Sequence, residues 1–381
     1  MPSPRINVLV AGSPLAAGVL AQLTRAELRE SDCDPSVLAL RFTLVQRADG
    51  EFGPVDDDVF EPGVVLGFEI EPPGGVIQRL FEGPVTHIRP HFESIESNSY
   101  VEVLAMDAAV LLDAQERVVA WPNVTDSDVV SQVLSGYQIP VAADATSVHY
   151  DEDRQRLTQR ATDWRFLQHL AERNGARFYF EYDAAQQQVV GHFAVPDTEG
   201  PPQPDVVLLQ DGQCLNWADL QMVGTGPVAI TGSALDPIAK QIVRGDGTPS
   251  LVAMGADDAA AVVESGLKAA GATGSAGLLH DPFPLDEAIG TASTAATDAA
   301  RLVIELRAEL DPALYRGLLR ARRTVLVRGV GRRFSGIYWV QSVRTTLEAG
   351  TLLQSFVATR NATGQTGQES FGQSAEEVPA S

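Results

Sequence analysis

Two histidines and two acidic triplets are the residues of this chain whose types and spacing could bind a metal. His87 and His91 are four positions apart, the spacing at which histidines on one helix face chelate zinc. They stand in an alternating strand pattern, however, where four residues span roughly 13 Å, so one ion cannot reach both. The acidic triplets at 56–58 and 151–153 lack the loop spacing that supplies calcium with six or more oxygens. We therefore predict exposed histidines, solvated acidic loops, and neither a metal nor any other cofactor.

The motifs of nucleophilic and phosphoryl chemistry are missing from the sequence. The chain contains neither a Gly-x-Ser-x-Gly elbow nor a Gly-x-x-x-x-Gly-Lys loop. Cys33 and Cys214 lie far apart and form no metal-binding or disulfide pattern, which is typical of a protein folded in a reducing compartment. No paired-carboxylate motif is present, although separated carboxylates could converge in the folded chain. The sequence therefore predicts a protein that is not an enzyme and has no catalytic residues.

The overall charge restricts the classes of partner. The formal net charge is −22 and the pI is about 4.6, whereas nonspecific binding to nucleic acid or anionic lipid needs a basic surface. No stretch approaches the ~20 apolar residues of a membrane span, and the N-terminus has no apolar stretch of signal-peptide type. We predict synthesis in the cytoplasm, no membrane span and no nucleic-acid binding.

Arginines nevertheless crowd one region of this acidic chain. Three explanations stay open: a subunit interface in which guanidinium groups pair with carboxylates of a neighbouring chain, solvated strand edges, or a site for a polyanion. A nucleic-acid site would also need interleaved aromatic residues, which this region lacks. We predict a subunit interface that includes the adjacent aromatic hairpin. Its residues are Arg316, Arg320, Arg322, Arg323, Arg328, Arg332, Arg333, Tyr338 and Trp339.

The elements between 125 and 182 have the clearest local signals. Thr125 or Asp126 can cap a helix whose apolar residues repeat on one face. Thr162 starts a second helix, and the Asn-Gly pair at 174–175 ends it, because glycine adopts the left-handed conformation of a C-terminal cap. An aromatic strand follows at 176–182. These elements predict a buried helical hairpin with no chemistry of its own.

Alternating apolar residues predict strands at both ends of the chain. The pattern recurs over the first 110 residues or so, for example at Leu38, Leu40 and Phe42, with turn clusters between the repeats. Strands return from 323 onward, and a turn at 348–350 joins the last two. Between the two strand-rich regions, 259–270 and 291–310 are alanine-rich with helical spacing. The predicted fold class is α+β, mainly β.

Several segments resemble, in the family's order, the phage late control D family, which includes the hub part of VgrG proteins and of contractile-tail baseplates. The resemblance covers nearly the whole chain. The segments are Phe-Glu-Pro-Gly at 60–63, Phe-Glu-Gly-Pro-Val-Thr with the following Pro-His-Phe-Glu at 81–93, Trp-Pro-Asn-Val-Thr-Asp-Ser-Asp at 121–128, the Thr-Asp-Trp-Arg-Phe-Leu helix with its strand at 162–180, and the closing hairpin at 334–343 with Thr-Arg-Asn at 359–361.

The resemblance implies two tandem antiparallel β-barrel domains similar to the tail-tube fold, with helical insertions, assembled as a homotrimer. Two barrels per chain would give the trimer pseudo-sixfold symmetry, so that it joins a hexameric tail tube above to a trimeric spike below. Because no oligosaccharide-binding-fold or β-helical needle domain follows the hub hairpin, we expect the spike to be a separate protein.

The implied function is that of a structural baseplate hub. It would sit in a phage virion or a phage-like contractile injection particle and contact other baseplate proteins. The alternative is a cell-envelope-binding or carbohydrate-degrading tail-associated protein.

Pattern and resemblance together predict how the chain is divided. We expect the helical insert to brace the barrels or to meet neighbouring baseplate proteins. The segments are a first β-barrel domain at 1–120, a helical insert at 121–176, a strand-rich segment completing the barrels at 177–255, an alanine-rich helical segment at 256–312, the C-terminal strands of the second barrel at 313–361 and a disordered tail at 362–381.

Overall fold

The first barrel is built by the N-terminal strands. The computed structural model describes residues 4–95, 98–152, 156–236, 240–272, 275–279 and 286–367. Leu38, Leu40 and Phe42 point into the barrel and are fully buried, while Ala39 and Arg41 face outward, as the two-residue period of a strand requires. The elements are β1 (Arg5–Val10), β2 (Ser13–Pro14), α1 (Ala17–Leu20), β3 (Leu23–Ser31), β4 (Val37–Thr43), α2 (Gly53–Asp56), β5 (Val65–Glu71), β6 (Gln78–His91) and β7 (Tyr100–Met106).

A helical region with its own hydrophobic core follows the first barrel. Its elements are α3 (Ala109–Leu112), β8 (Glu116–Trp121), β9 (Val124–Thr125), α4 (Asp126–Gly136), β10 (Val141–Ala143), β11 (His149–Tyr150), β12 (Leu157–Thr162), α5 (Asp163–Arg173), β13 (Arg177–Asp183) and β14 (Gln188–Ala194). Trp164 of α5 packs on Phe178 of β13, with the ring centroids 5.5 Å apart. This contact joins the helix to the aromatic strand within one core.

The caps predicted from the sequence are present. Thr125 caps α4 in a capping box, in which its hydroxyl accepts from the Asp128 amide and the Asp128 carboxylate accepts from the Thr125 amide. Thr162 caps α5 by accepting from the Arg165 amide at 3.3 Å. Gly175 follows the end of that helix with a φ of +67°. Both helices therefore begin, and α5 also ends, where local sequence chemistry predicts.

The second barrel and a nested insertion occupy the rest of the described chain. The insertion lies between two neighbouring strands of the barrel. The elements are β15 (Gln203–Val207), β16 (Leu215–Met222), β17 (Ala229–Asp236), β18 (Gln241–Asp246), β19 (Asp257–Asp258), α6 (Ala259–Ala269), β20 (Ser275–Leu279), α7 (Asp286–Ala300), β21 (Ile304–Leu310), α8 (Pro312–Tyr315), β22 (Thr324–Arg328), β23 (Gly336–Glu348), β24 (Thr351–Arg360) and β25 (Ala362–Thr363).

One continuous sheet links the two barrels. Its strand order is β16-β21-β24-β23-β3-β4-β7-β6-β5-β1-β2, and β22 with its parallel neighbour β15 branches from β23. The link is the antiparallel pairing of β3 with the C-terminal half of β23. Each barrel encloses its own core, and the sheet passes from one core to the other at this pair. The described structure thus bears out the mainly-β class with helical insertions.

Helix α7 lies close to the β17–β18 hairpin because glycines face it. A side chain at Gly247 would overlap the Ser293 carbonyl and the Thr297 hydroxyl, and one at Gly232 would overlap Ser293 and Ile289. The helix presents small residues to a glycine-lined strip, so the backbones approach each other. The alanine-rich composition of this helix therefore reflects close packing.

The second alanine-rich stretch is shorter than predicted. Helical spacing predicted a helix over 291–310, whereas α7 ends at Ala300 and β21 begins at Ile304. Ile304, Leu306, Ala308 and Leu310 are all buried on one face of β21. That prediction was wrong because their two-residue alternation, and pairing with two neighbouring strands, outweighs the helix propensity of the alanines.

Two other expectations differ from the structure. Only β15 and β16 of the segment 177–255 join the main sheet, while β13–β14 and β17–β18 belong to separate sheets. At the start of the predicted tail, Ala362 and Thr363 are buried and pair with β19. The tail from 368 to 381 lies outside the described residues. The remaining segment boundaries stay predictions.

Candidate functional site: a buried arginine junction

The segment between α8 and β22 contains several of the predicted interface arginines. It lies where the first barrel, the helical region and the second barrel meet, a place that we call the junction. Asp311 caps the short α8, and its carboxylate accepts from the Ala313 amide at 2.9 Å. Arg316 then adopts a φ of +60°, which turns the chain across the end of the second barrel. The segment runs between β3 of the first barrel, β13 of the helical region and β23 of the second barrel.

Arg320 is the centre of this junction. Its guanidinium lies 2.7 Å from the Glu30 carboxylate on β3 and 3.2 Å from the Glu181 carboxylate on β13. Its backbone is held on both sides by the Gln203 amide group, which accepts from its N–H at 2.8 Å and donates to its carbonyl at 2.9 Å. Burial lowers the pKa of Arg320, but the two carboxylates outweigh burial and raise it. A single charged side chain therefore ties all three parts together.

Arg322 makes a second set of contacts in the same place. Its guanidinium donates to the Ser31 carbonyl at 2.8 Å and to the Ser36 hydroxyl at 3.1 Å. It also lies over the ring of Tyr179, 4.3 Å from the centroid. The Ser36 amide in turn donates to Asp107 at 2.6 Å. Arg322 thereby connects the β3–β4 turn to β13, the strand that follows α5.

Two carboxyl groups at the junction have shifted pKa values of opposite sign. Burial alone would raise the pKa of Glu181, but Arg320, Arg323 and Arg322 outweigh it and lower the pKa to about 2. Burial raises the pKa of Asp107 to about 6, against the partial opposition of the amides that donate to it and of Arg322. The junction thus holds Glu181 charged and penalises the charged form of Asp107.

The two aromatic residues of the predicted interface are also internal. Trp339 is 5% exposed, and its indole N–H donates to Asp32 at 3.0 Å. Tyr338 is fully buried, and its hydroxyl donates to the Phe334 carbonyl at 2.7 Å. Both side chains belong to cores and polar contacts of the same chain.

The predicted interface residues therefore divide into three groups by their depth in the chain. Arg320, Arg322, Tyr338 and Trp339 are buried within one chain, so their assignment to a subunit interface is corrected to an internal junction. Arg328 is half-buried, 3.2 Å from Asp205. The exposed residues, for which a subunit contact stays a prediction, are Arg316, Arg323, Arg332 and Arg333.

The acidic partners of these arginines were not predicted. Glu30 is the informative case, because it shares the inward parity of Ala26 and Leu28 on β3. A glutamate at an inward position of a strand is rarely buried without a cation beside it. The inward position of Glu30 in the alternating pattern therefore indicates a buried ion pair. It does not identify the partner, because Arg320 is distant in sequence.

The outward face of the sheet at the same β3–β23 pair carries a separate charge cluster. Glu27 lies 2.8 Å from Arg25, 2.5 Å from Arg29 and 3.4 Å from Arg344. Burial would raise the pKa of Glu27, but the arginines together lower it. Arg344 and Arg29 are directly opposite each other in the ladder, where like charges repel. Glu27 offsets that repulsion and so stabilises the pairing between the barrels.

A buried clamp holds the end of the closing hairpin. Arg360 is fully buried and donates to the Met254 carbonyl at 2.7 and 2.9 Å and to the Ser335 carbonyl at 3.1 Å. Asn361 accepts from the Met254 amide at 2.9 Å and donates to the Val252 carbonyl at 3.0 Å. The Thr-Arg-Asn segment thus serves as an internal anchor between the barrel and the nested insertion.

No group of three or more candidate metal ligands converges within the described ranges. His87 and His91 are both exposed on β6, and the His91 ring nitrogen lies 3.2 Å from Glu93. Within the described part of the chain, no helix is long and apolar enough to cross a membrane.

A cavity of about 740 Å³ lies between α5 and α7. Carboxylates line it, including Glu172, Glu199 and Glu287. Asp298, also in the lining, accepts from the Ser250 and Leu251 amides and so orders the adjacent loop. The Ser250 hydroxyl, also in the lining, donates to the Asp298 carboxylate at 2.6 Å.

The family comparison matches the centre of the chain. A family model described as phage tail baseplate hub (GPD) matches residues 57–206, which include β5 to β7, the helical region and β15. This stretch of the chain is therefore similar to that family. No curated protein sequence matches this chain.

Solved structures share this fold over nearly the full length. The 43 kDa tail protein of prophage MuSo2 from Shewanella oneidensis is 13% identical with a TM-score of 0.62, covering 95% of this chain and 100% of that protein. A tail protein from Neisseria meningitidis is 12% identical with a TM-score of 0.61, covering 94% and 97%. A type VI secretion system component from E. coli is 13% identical with a TM-score of 0.55, covering 94% and 77%. At these identities the likeness establishes the fold.

Proposed function

We propose that the protein is the structural hub of a contractile phage-tail or injection-system baseplate. It would act as a homotrimeric adaptor between a hexameric tail tube and a trimeric spike supplied by a separate protein, and it would contact other baseplate proteins. Its mechanism is the mechanical matching of two symmetries, and it needs no active site. The family match over 57–206 supports the hub role, and the internal geometry supports the adaptor role.

The observation that carries the adaptor role is an internal duplication. The first barrel pairs its strands in the order β1-β5-β6-β7-β4-β3, and the second in the order β15-β22-β23-β24-β21-β16. Each strand of the first series has its counterpart at the same place of the second, and the two series also follow the same order along the chain. The barrels differ in one pair, because β1–β5 is antiparallel while β15–β22 is parallel.

Two irregularities in the ladders coincide between the barrels as well, whereas the register shifts in β5–β6 and β15–β22 have no counterpart. The β6–β7 register shifts between Val85 and His87, and the β23–β24 register shifts between Val340 and Ser342. The β3–β4 register shifts after Leu23, and the β16–β21 register shifts after Leu215. Bulges are local features of particular pairings, so two coincident bulges indicate a repeated unit.

A repeated barrel explains how one chain could meet two symmetries. Three copies around a threefold axis would place six similar barrels in a ring, so that one face offers six similar contacts to a tube. The differences between the barrels recur only three times, which suits a threefold spike. The buried Arg320 and Arg322 contacts would fix the relative orientation of the two barrels within each copy.

One observation favours a second candidate function. The cavity between α5 and α7 has room for a saccharide-sized ligand and several carboxylates in its lining. A cell-envelope-binding or carbohydrate-degrading protein would use such a cavity, with two carboxyl groups roughly 5–9 Å apart around the scissile bond.

A pull-down distinguishes the two functions. The tagged chain would be recovered from cells producing tail particles, and the eluate would be studied by mass spectrometry and negative-stain imaging with a label on the tag. We expect tube and spike proteins in the eluate and label at the baseplate end of tails. A lone protein with no tail components after mild cross-linking, together with turnover of an envelope polysaccharide, would favour the second function. The untagged chain, processed in parallel, controls for nonspecific recovery.

A further inference from the structure

We infer that copies of this chain join by pairing β16 of one copy with the C-terminal half of β6 of the next, in the register that β3 and β23 use within the chain. This inference rests on the proposed trimer and names the edges that would close it. The template is the internal pairing, in which Ser31 lies opposite Ser342, Arg29 opposite Arg344 and Glu27 opposite Thr346. The Asp32 amide extends the ladder by donating to the Gln341 carbonyl at 2.8 Å.

Both edges required by the inference are open in the described structure. β16 forms a ladder with β21 alone, so its other edge has no strand beside it within the described ranges. β6 pairs with β5 over Gln78–Pro84 and with β7 over Val85–His91, so from His87 onward one edge has no neighbour among the described strands. In the second barrel, the corresponding edge of β23 is the one that β3 covers.

The coincident bulges fix the register between copies. Val85 corresponds to Val340, because each precedes the bulge of its hairpin, and Trp217 corresponds to Arg25, because each follows the bulge of its edge strand. Transferring the β3–β23 register gives the pairs between copies. They are His87 opposite Val223, Arg89 opposite Gln221, His91 opposite Asp219 and Glu93 opposite Trp217 of the neighbouring copy.

The charges at these positions agree with the register. Arg89 corresponds to Arg344, and Asp219 corresponds to Glu27. Within the chain, Glu27 and Arg344 are 3.4 Å apart. The transferred register therefore places Asp219 of one copy beside Arg89 of the next, where a carboxylate and a guanidinium attract each other. The bulge positions alone determine the register, so the charge pair is an independent observation.

The apolar residues agree with it too. Ile88 is partly buried against the core of the first barrel, while Leu220 and Met222 are partly buried against the core of the second. All three side chains lie on the core-facing side of their strands. The pairing would therefore join the core of one copy's first barrel to the core of the neighbouring copy's second barrel. Met222 occupies the position that Glu30 occupies within the chain. The contact between copies would thus be apolar where the internal junction is an ion pair.

Pro90 limits this edge to one kind of partner. It lies in the open part of β6 and has no N–H, so it contributes only its carbonyl to a new ladder. Proline at a sheet edge is one of the features that prevent unspecific strand addition. The pairing would lack one backbone hydrogen bond and would depend on the side chains described above. The open edge of β6 would therefore pair only with a β16 whose side chains match its own.

A cysteine pair tests the register directly. Arg29 and Arg344 lie opposite each other between two hydrogen-bonded pairs of the ladder, so they form a non-hydrogen-bonded pair. The Cα atoms of such a pair lie about 4.5 Å apart, a distance at which a disulfide can form. The corresponding pair between copies is Arg89→Cys with Gln221→Cys, made with Cys33→Ser to remove the exposed thiol. Arg29→Cys with Arg344→Cys is the matched control, which should cross-link within one chain. Arg89→Cys with Ala218→Cys is out of register.

Under mild oxidation of the purified protein, the in-register pair should give covalent trimers in denaturing non-reducing electrophoresis, and the out-of-register pair should give less than about a tenth of that yield. A trimer by native mass that forms no in-register cross-link would overturn the pairing and leave the proposed hub intact. A monomer at every concentration would overturn both.

A charge exchange gives an independent measurement. Asp219→Arg and Arg89→Asp should each raise the concentration at which the trimer dissociates, by about tenfold or more, and the double variant should return to within about threefold of the parent. Loss of the trimer in the double variant, with the thermal midpoint of the monomer unchanged, would contradict the contact.

Discussion

The two barrels share a strand order but differ in what their edge strands meet. In the first barrel, β3 and β4 are joined by a short turn at 32–36, and the outer edge of β3 is covered by β23 of the same chain. In the second barrel, the corresponding β16 and β21 are separated by residues 223–303, and the outer edge of β16 is open among the described strands. A hairpin can therefore take a large insertion without changing the pairing of the barrel, because the strands on both sides keep their neighbours.

The hairpin ends differ in the same way. β23 and β24 are joined by a tight turn in which Ala349 and Gly350 both have positive φ, the geometry that fits the twist of a two-residue hairpin. β6 and β7 are joined by a longer loop that exposes Phe92, with 53% of its surface accessible. The repeated strands define the barrel, and the variable ends give each barrel a different surface.

The largest expected effect comes from removing the ion pairs of Arg320, which the internal junction has and the proposed contact between copies lacks. Arg320→Met would leave Glu30 and Glu181 buried with one fewer cation, so we expect a loss of about 3–5 kcal/mol in the free energy of unfolding. Arg323→Met is the control, because Arg323 also contacts Glu181 but is about half exposed, and we expect about 1 kcal/mol or less. Urea denaturation measures both. Equal losses in the two variants would contradict the central place given to Arg320.

The pH dependence of stability should reveal Glu181. Its folded pKa of about 2 lies below its ordinary value, so its contribution is present above roughly pH 5 and is lost as the pH falls toward 2. The shift corresponds to roughly 3 kcal/mol at most. Glu181→Gln should therefore be less stable than the parent at pH 6, and the difference should shrink at pH 3. A constant difference across that range, measured by urea denaturation at each pH, would show that Glu181 is not held charged by the junction.

The turn between β23 and β24 offers a smaller, local test. Gly350 has a φ of +77°, so Gly350→Ala should lower the free energy of unfolding by about 1–2 kcal/mol. Ala349→Gly is the matched control, because Ala349 also has a positive φ and glycine relieves its strain. We expect the control to be neutral or slightly stabilising in thermal unfolding. A stable Gly350→Ala variant would mean that the hairpin adopts another turn.

The exposed arginines should have the smallest effect on folding. Arg332→Ser with Arg333→Ser should change the free energy of unfolding by less than about 0.5 kcal/mol, because both residues lie on the surface. If these residues form the predicted subunit contact, the double variant should also weaken the trimer, more at low salt than at high salt. Sedimentation at two salt concentrations measures this. An unchanged trimer would remove Arg332 and Arg333 from the predicted interface.

Local chemistry made much of the fold predictable, and long-range pairing made the rest unpredictable. Thr125 and Thr162 sit at helix starts because capping depends on residues within one turn, and the Leu38–Phe42 alternation depends only on the strand itself. The stretch 304–310 was mistaken for helix because its alanine-rich surroundings hide a two-residue period. The β3–β23 pair joins residues at opposite ends of the chain, and no local pattern specifies it.

The site shows the same limit. The arginine cluster was visible in sequence, but the type of residue does not reveal its depth, and Arg320 and Arg322 proved internal. The duplication was also hidden, because the two barrels share strand order and bulges with little evident likeness in sequence. Both features depend on contacts between distant parts of the chain, which the local sequence does not specify.

The central claim is that three chains provide six similar barrels in one ring. End-on electron-microscopy class averages of the purified protein test it most directly. We expect a closed ring with six lobes of similar size that alternate in their outer features. Particles the size of one chain, or rings built from a different number of copies, would contradict it.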